Sequence, residues 1–264
     1  MTQFETHKFG GTSLGDKQRI KAAADIIRTE RDPSCMSLVV ASAIGGATNA
    51  LLKAVDEGVL PTLVTSSLHT LCIFKIILCS ALKRSGRHVA VLDELEAMHV
   101  AIASTAQLKA QIHDSMKTIR ELVEGVFLLR EATPRSRDAI ASFGELFSAP
   151  LLAEELGCPW IDTREVRLQK RVTCFFSILT CASPAAKQSK KVIRTNDKFG
   201  DAQPLFGETR DLLRARVASL PPTGIVVVTG FIGSTVDGLT TTLGRSGSDF
   251  TATIIAGSKK TVSI

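Results

Sequence analysis

GFIGSTVDGLTTTLGRSGSDFTATIIA, residues Gly230 to Ala256, sets two glycine turns, a run of threonines and a helix start around one arginine and one aspartate. Just before it, Gly224 to Thr229 (GIVVVT) is a run rich in β-branched residues closed by Gly230, the pattern of a buried strand. A turn then leads to a second, polar-apolar strand through Thr240, Thr241 and Thr242, ending at Leu243 and Gly244. From Ser248 the spacing of Phe250, Ile254 and Ile255 fits a helix, with Ser248 as its N-cap and Asp249 in the first turn. The helix therefore starts where Arg245, Gly247 and Ser248 stand. Unpaired backbone N–H groups beside an arginine suit a carboxylate or a phosphate. The same residues also fit a surface turn and an ordinary capped helix.

The N-terminus repeats the theme. Thr6 to Phe9 forms a short strand, Gly10-Gly11-Thr12-Ser13 follows, and Asp16 opens an amphipathic helix with Ile20, Ala23, Ala24 and Ile27 on one face. Such a glycine loop lets backbone amides approach phosphate oxygens, and Lys8 at the end of the strand can neutralise charge that develops during transfer. The GxxxxGK[ST] spacing of a Walker A loop is absent. A third strand, Ser37 to Ser42 (SLVVAS), runs into Ala43-Ile44-Gly45-Gly46-Ala47-Thr48-Asn49 and a helix from about Ala50. Open α/β sheets bind ligands at the carboxyl ends of their strands, so the three loops can converge on one crevice.

Five segments in order carry a resemblance: Lys8-Phe9-Gly10-Gly11-Thr12-Ser13, VVASAIGGATNALL from Val39, SFGELFSAPLL from Ser142, IRTNDKFG from Ile193, and GFIGSTVDGLTTTLGRSGSDFTA from Gly230. Together the chain resembles the aspartokinases (aspartate kinases). The resemblance implies the amino-acid-kinase fold, a three-layer α/β/α sandwich with an open, mainly parallel sheet. It implies transfer of the ATP γ-phosphoryl group to the side-chain carboxylate of L-aspartate, giving 4-phospho-L-aspartate, the entry to lysine, threonine and methionine synthesis. Mg²⁺ is expected to bridge the phosphates.

By the same resemblance, Lys8, Gly10, Gly11 and Ser13 lie on the ATP phosphates, with Lys8 stabilising the transferring group. Thr48 and Glu145 match substrate positions, Glu145 accepting from the α-ammonium of aspartate and Arg245 pairing with its α-carboxylate. Ser248 and Asp249 complete that corner, Asp249 orienting the substrate amine or the lysine. The nucleophile is already an ionised carboxylate and needs no general base. Without the resemblance, the favoured reading of Glu145 is a solvated glutamate in a helix's first turn, and Thr48 could be a capping threonine. Arg137 and Asp138 fit a surface charge pair, and the five histidines, scattered without metal-ligand spacing, are expected to be bystanders. Acetylglutamate and uridylate kinases are weaker matches, and Arg245 with Glu145, placed to grip an α-amino acid, argues against uridylate kinase.

At 264 residues and 44% hydrophobic, the chain can bury one substantial core, and no Gly/Ser-rich or charge-rich linker divides it. A net charge of +6 is spread along the sequence without a basic run, so no nucleic-acid partner is expected. The first strand begins almost at once, which makes the cytosol the default location, or a plastid if an N-terminal exon is missing. A homo-oligomer is left open.

Two stretches depart from the family pattern: residues 59–82 and 167–192, each containing C-x-F-x-I-x-x-C, at Cys72 to Cys79 and Cys174 to Cys181. That spacing matches no usual zinc motif, and stable disulfides are not expected in an intracellular chain. Val59 to Leu82 is almost long enough to span a bilayer, but Pro61, His69 and Lys75 argue against it, and no membrane partner is expected. Removing 167–192 would join IDTREV directly to IRTNDKFG, and both stretches are taken as translated introns. After Ala256 only GSKKTVSI follows, TVSI starting a strand. Residues 1–264 are thus expected to form a partial kinase domain, short of the segment that holds adenine and ribose and of the regulatory domains. The alternative function is a catalytically inactive fragment acting as a binding or interaction module.

Overall fold

β1 (Phe4–Phe9), β2 (Met36–Ala41), β3 (Trp160–Ile161) and β4 (Gly224–Thr229) form a sheet in the order β1-β2-β4-β3, with every neighbouring pair parallel. The computed structural model describes residues 4–59, 88–164 and 192–258. All six residues of β2 are buried, as a central parallel strand covered on both faces requires. Its side chains alternate between two cores. Val39 and Ala41 join one hydrophobic cluster, while Met36, Leu38 and Val40 join the other.

The first cluster packs α1 (Lys17–Glu30), α2 (Ala47–Gly58), α3 (residues 88–102), α4 (Ala106–Leu129), α5 (Pro134–Ala141) and α6 (Phe143–Leu156) against one sheet face. The second packs α7 (Phe206–Ala218) and α8 (Gly247–Gly257) against the other, through Leu213, Val217, Ile254 and Ile255. Helices on both faces of an open parallel sheet make the expected three-layer α/β/α sandwich.

Local chemistry sets most boundaries. Asp16 caps α1 by accepting from the Arg19 amide at 2.9 Å, and Ile20, Ala23, Ala24 and Ile27 are its buried stripe, as the spacing predicts. Strands β1 and β2 begin earlier than expected, at Phe4 and Met36, and α2 begins at Ala47 because Gly46 already turns the chain with φ of 88°. Thr48 therefore sits inside the helix and does not cap it. The threonine strand does not join the main sheet. It is β6 (Thr240–Thr242), paired antiparallel with β5 (Ile232–Ser234) in a separate hairpin.

Among the described residues no helix is long and apolar enough to cross a membrane, and no group of three His, Cys, Asp or Glu is placed to hold a metal ion. The two C-x₆-C pairs, the terminal TVSI and most of residues 59–82 and 167–192 lie outside the described residues. Their flanks are informative for the second stretch. The carbonyl of Thr163 accepts from the amides of both Val192, at 3.2 Å, and Ile193, at 3.0 Å, and Val192 and Ile193 are buried core residues. The chain leaves and re-enters the fold at one point.

Excision of residues 167–192 would place Val166 before Ile193, so a valine still precedes Ile193, three positions after Thr163, the spacing that a β-turn closes. The shortened chain should fold cooperatively, with Tm no more than about 3 °C below the parent, because a shorter loop costs less entropy to close. Thermal denaturation followed by circular dichroism checks this, and loss of cooperative unfolding would contradict it.

Candidate active site

β1, β2 and β4 end level with one another: Phe9 pairs with Ala41, and Ala41 with Thr229. Their loops consequently leave the sheet side by side and are stitched by backbone hydrogen bonds. Ser42 donates to Phe9 at 3.2 Å, Gly230 to Ala41 at 2.9 Å, and Gly45 to Gly11 at 2.9 Å. A side-chain carbon on Gly11 would stand 2.5 Å from the Ala43 carbonyl oxygen, so the first two loops approach this closely only because Gly11 has none. The fully buried Leu14 pins the far end of the first loop, residues Gly11–Leu14, into the core. Truncating such a leucine to alanine typically costs about 2–5 kcal/mol.

Lys8, the last residue but one of β1, has its Nζ 2.8 Å from Oδ1 of Asp249 in the first turn of α8. Both groups keep solvent contact, at 28% and 60% exposure, so the pair adds only about 0–1 kcal/mol to stability. Its interest is positional: it brings a cation and an anion from opposite ends of the chain to the mouth of the three loops. Beside it, the hydroxyls of Ser42 and Ser248 lie 3.0 Å apart. Ser248 was expected as the N-cap. The cap position belongs instead to Ser246, in the left-handed region at φ of 57°, and Ser248 lies within the first turn, where its hydroxyl reaches Ser42. Ser13 is exposed, and its amide closes the glycine loop onto the Gly10 carbonyl at 3.0 Å. Arg245 is exposed and makes no ion pair among the described residues.

Glu145 is the unusual group. It lies in the first turn of α6, yet it is buried at 2% exposure rather than solvated. Oε1 accepts from the Ala43 amide at 3.2 Å, whereas Oε2 has no protein partner. Burial pushes the carboxyl up to about 8, and the Ala43 amide only partly opposes that. Thr48 is a neighbour: a side-chain carbon on Gly144 would lie 2.8 Å from the Ala43 Cβ and 3.2 Å from the Thr48 hydroxyl. The bare Gly144 thus lets α6 lie against the start of α2, with Thr48 beside the turn that holds Glu145.

Two further charged residues, Asp138 and Arg164, are buried. Asp138 does not form a surface pair with Arg137; Arg137 bonds Asp56, and Asp138 is buried. Oδ2 of Asp138 accepts from the amides of Gly200, at 2.9 Å, and Thr242, at 3.0 Å, and Oδ1 from the Thr242 hydroxyl at 2.8 Å. Burial pushes this carboxyl up, against those donors. Arg164, also buried, pairs with Asp162 at 2.8 Å and donates to the Ser142 and Thr240 hydroxyls at 3.1 and 3.2 Å. Nothing in the local pattern of either residue marks it as buried. The only sequence signal was position, since Asp138 precedes SFGE and Arg164 lies in IDTREV.

A half-paired buried carboxylate, an accessible lysine–aspartate pair and an arginine with no ion pair among the described residues are the kinds of group that a zwitterion and a polyanion would need. The model of the amino acid kinase family matches residues 6–260. The chain is 31% identical to lysine-sensitive aspartokinase 3 of Escherichia coli (strain K12), over 97% of this chain and 46% of that protein. It is 29% identical to a chloroplastic bifunctional aspartokinase/homoserine dehydrogenase 1 of Zea mays, over 96% of this chain and 23% of that protein. The chain thus spans about half the length of the bacterial relative and a smaller share of the plant one. Among solved structures, E. coli aspartokinase III in complex with aspartate and ADP matches with a TM-score of 0.69 and 26% identity, over 97% of this chain and 47% of that one. The same enzyme in complex with lysine and aspartate matches with a TM-score of 0.62 and 28% identity, over 98% and 47%.

Unfolded, the Glu145 carboxyl loses its proton near 4.5; folded, it keeps it to about 8. Between those values the native state holds one proton more than the unfolded chain, so stability falls as pH rises from about 4.5 to 8. Glu145→Gln removes that component. Urea unfolding at both ends of the window should show the variant gaining on the parent by about 3–5 kcal/mol as pH rises. Parallel pH curves for the two proteins would contradict it.

Proposed function

The chain belongs to the amino acid kinase family, and from that premise we propose that it is an aspartate kinase, moving the γ-phosphoryl group of ATP to the side-chain carboxylate of L-aspartate. The supporting relatives are aspartokinases, and one of them is solved with aspartate and ADP. Residues 1–264 are taken as catalytic kinase domain, interrupted at about 59–82 and 167–192.

The observation that carries the proposal is the buried Oε2 of Glu145, which has no protein partner. Buried acceptors in folded proteins nearly always have a donor. An α-ammonium group supplies one, and with it the positive charge that favours the ionised carboxylate. Arg245 then takes the α-carboxylate in a planar bidentate contact. Held at both ends of its amino-acid head, the substrate directs its side-chain carboxylate towards Lys8.

The chemistry asks little of the protein beyond positioning and charge. One oxygen of the substrate carboxylate attacks the γ-phosphorus while the bond to the ADP oxygen breaks, and no proton needs to be removed. Lys8 offsets negative charge spreading over the transferring group, and its present partner Asp249 holds it at the mouth of the loops until then. Gly10, Gly11 and Ser13 would line the phosphate side, the bare Gly11 letting their loop lie against the one that follows β2. Ser248 secures the start of α8 to the β2 loop through Ser42. A magnesium ion, when bound, screens the phosphate charge. The residues present fit one that arrives on the nucleotide, with Asp249 as the nearby carboxylate, since such ions usually take one or two carboxylates plus phosphate oxygens.

Purified chain supplied with aspartate, ATP and hydroxylamine should form aspartyl hydroxamate in an ATP-dependent manner. Arg245→Ala should lower kcat/KM for aspartate by about 100-fold, the loss of a bidentate charge-assisted contact. A parent chain with no aspartate-dependent turnover, or an Arg245→Ala variant with unchanged kcat/KM, would refute the proposal.

A further inference from the structure

If aspartate is held between Glu145 and Arg245, as proposed above, its two anchors stand on different elements, and something must fix their separation. Glu145 is on α6, and Arg245 follows β6 by way of Gly244. Two buried struts join those elements. α6 continues from α5 through the single residue Ser142, which keeps helical dihedrals and whose amide donates to the Asp138 carbonyl at 3.0 Å. From α5, the Asp138 carboxylate reaches β6 and accepts both the amide and the hydroxyl of Thr242. From the IDTREV segment, Arg164 donates to Ser142 at that junction and to Thr240 at the other end of β6.

We infer that Asp138 is a positioning residue for the substrate site: by clamping Thr242 and Gly200 to the α5–α6 junction it sets the span between Glu145 and Arg245. The carboxylate is 3% exposed and saturated by three donors, so it acts through β6 and not by touching a ligand. The IRTNDKFG loop completes the clamp. Gly200 donates to the same carboxylate, Ala202 donates to the Thr242 carbonyl at 2.9 Å, and Asp201 lies against Gly244, where a side-chain carbon would be 2.8 Å from Oδ1. Gly244 itself turns with φ of 72° directly before Arg245. A loosened β6 therefore moves the arginine, while Glu145 stays fixed by its bond to Ala43.

Asp138→Ala in the full chain tests this, because it removes the acceptor of the Gly200 and Thr242 amides and of the Thr242 hydroxyl. KM for aspartate should rise by about 10- to 100-fold, as misplacement on the ångström scale does, with KM for ATP within about twofold. A purely structural role would lower kcat through loss of active protein and leave KM for aspartate unchanged; that result overturns the inference. Thr242→Val, which removes one donor at nearly constant volume, should shift KM in the same direction by less, and it serves as the test if Asp138→Ala does not fold. Hydrogen–deuterium exchange on the substrate-free chain gives a readout independent of substrate identity. Faster exchange confined to residues 242–247, with α6 unchanged, supports the clamp even if the parent fails to turn over aspartate, which would refute the aspartate reading alone. Unchanged exchange, or uniformly faster exchange, overturns the clamp.

Discussion

The level ending of three parallel strands governs the site. With Phe9, Ala41 and Thr229 in register, the chain leaves β1, β2 and β4 at one height, and each following loop is within backbone hydrogen-bonding reach of the next. The bare Gly11 is what that closeness demands. A shift of one strand by a single residue would reverse its faces, moving Val39 and Ala41 out of one core and Leu38 and Val40 out of the other. The two-sided burial of β2 therefore protects the register, and the register protects the position of Lys8. Fold stability and site geometry depend on the same set of contacts.

Two buried carboxylates show how one interior can treat the same group in opposite ways. Asp138 has three donors and is complete; Glu145 has one donor and an oxygen left over. The first serves to hold elements together. The second carries an acceptor with no protein partner, and burial pushes its carboxyl up to about 8. Lys8 and Asp249 form a third arrangement, paired but wet, weak enough to exchange partners when a polyanion arrives.

Much of this was legible in the sequence where local physics decides. The β-branched run of Gly224–Thr229 became β4 without adjustment, and Asp16 with its apolar stripe became a capped α1. The glycine loops after β1 and β2 were legible because turn chemistry marks them. What escaped depends on long-range contact. Asp138 beside Arg137 looks like any surface pair, since its donors lie at Gly200 and Thr242, far along the chain. Glu145 in a first helical turn looks solvated, because the Gly144 contact with Ala43 that closes over it cannot be read from SFGE alone. Ser248 has the composition of a cap, but the left-handed turn at Ser246 moved the helix start back and freed the hydroxyl for Ser42. The threonine strand was recognised as a strand, while its separation from the main sheet followed from pairing with Ile232–Ser234.

The central claim, that the crevice at these strand ends receives an α-amino acid opposite a nucleotide, is tested most directly by a crystal structure of the chain with L-aspartate and a non-hydrolysable ATP analogue. The account predicts the α-ammonium within hydrogen-bonding distance of Glu145 Oε2, the α-carboxylate on Arg245, and Lys8 Nζ transferred from Asp249 to a phosphate oxygen. Aspartate bound elsewhere, or an occupied crevice in which Glu145 Oε2 is still unpaired, would contradict it.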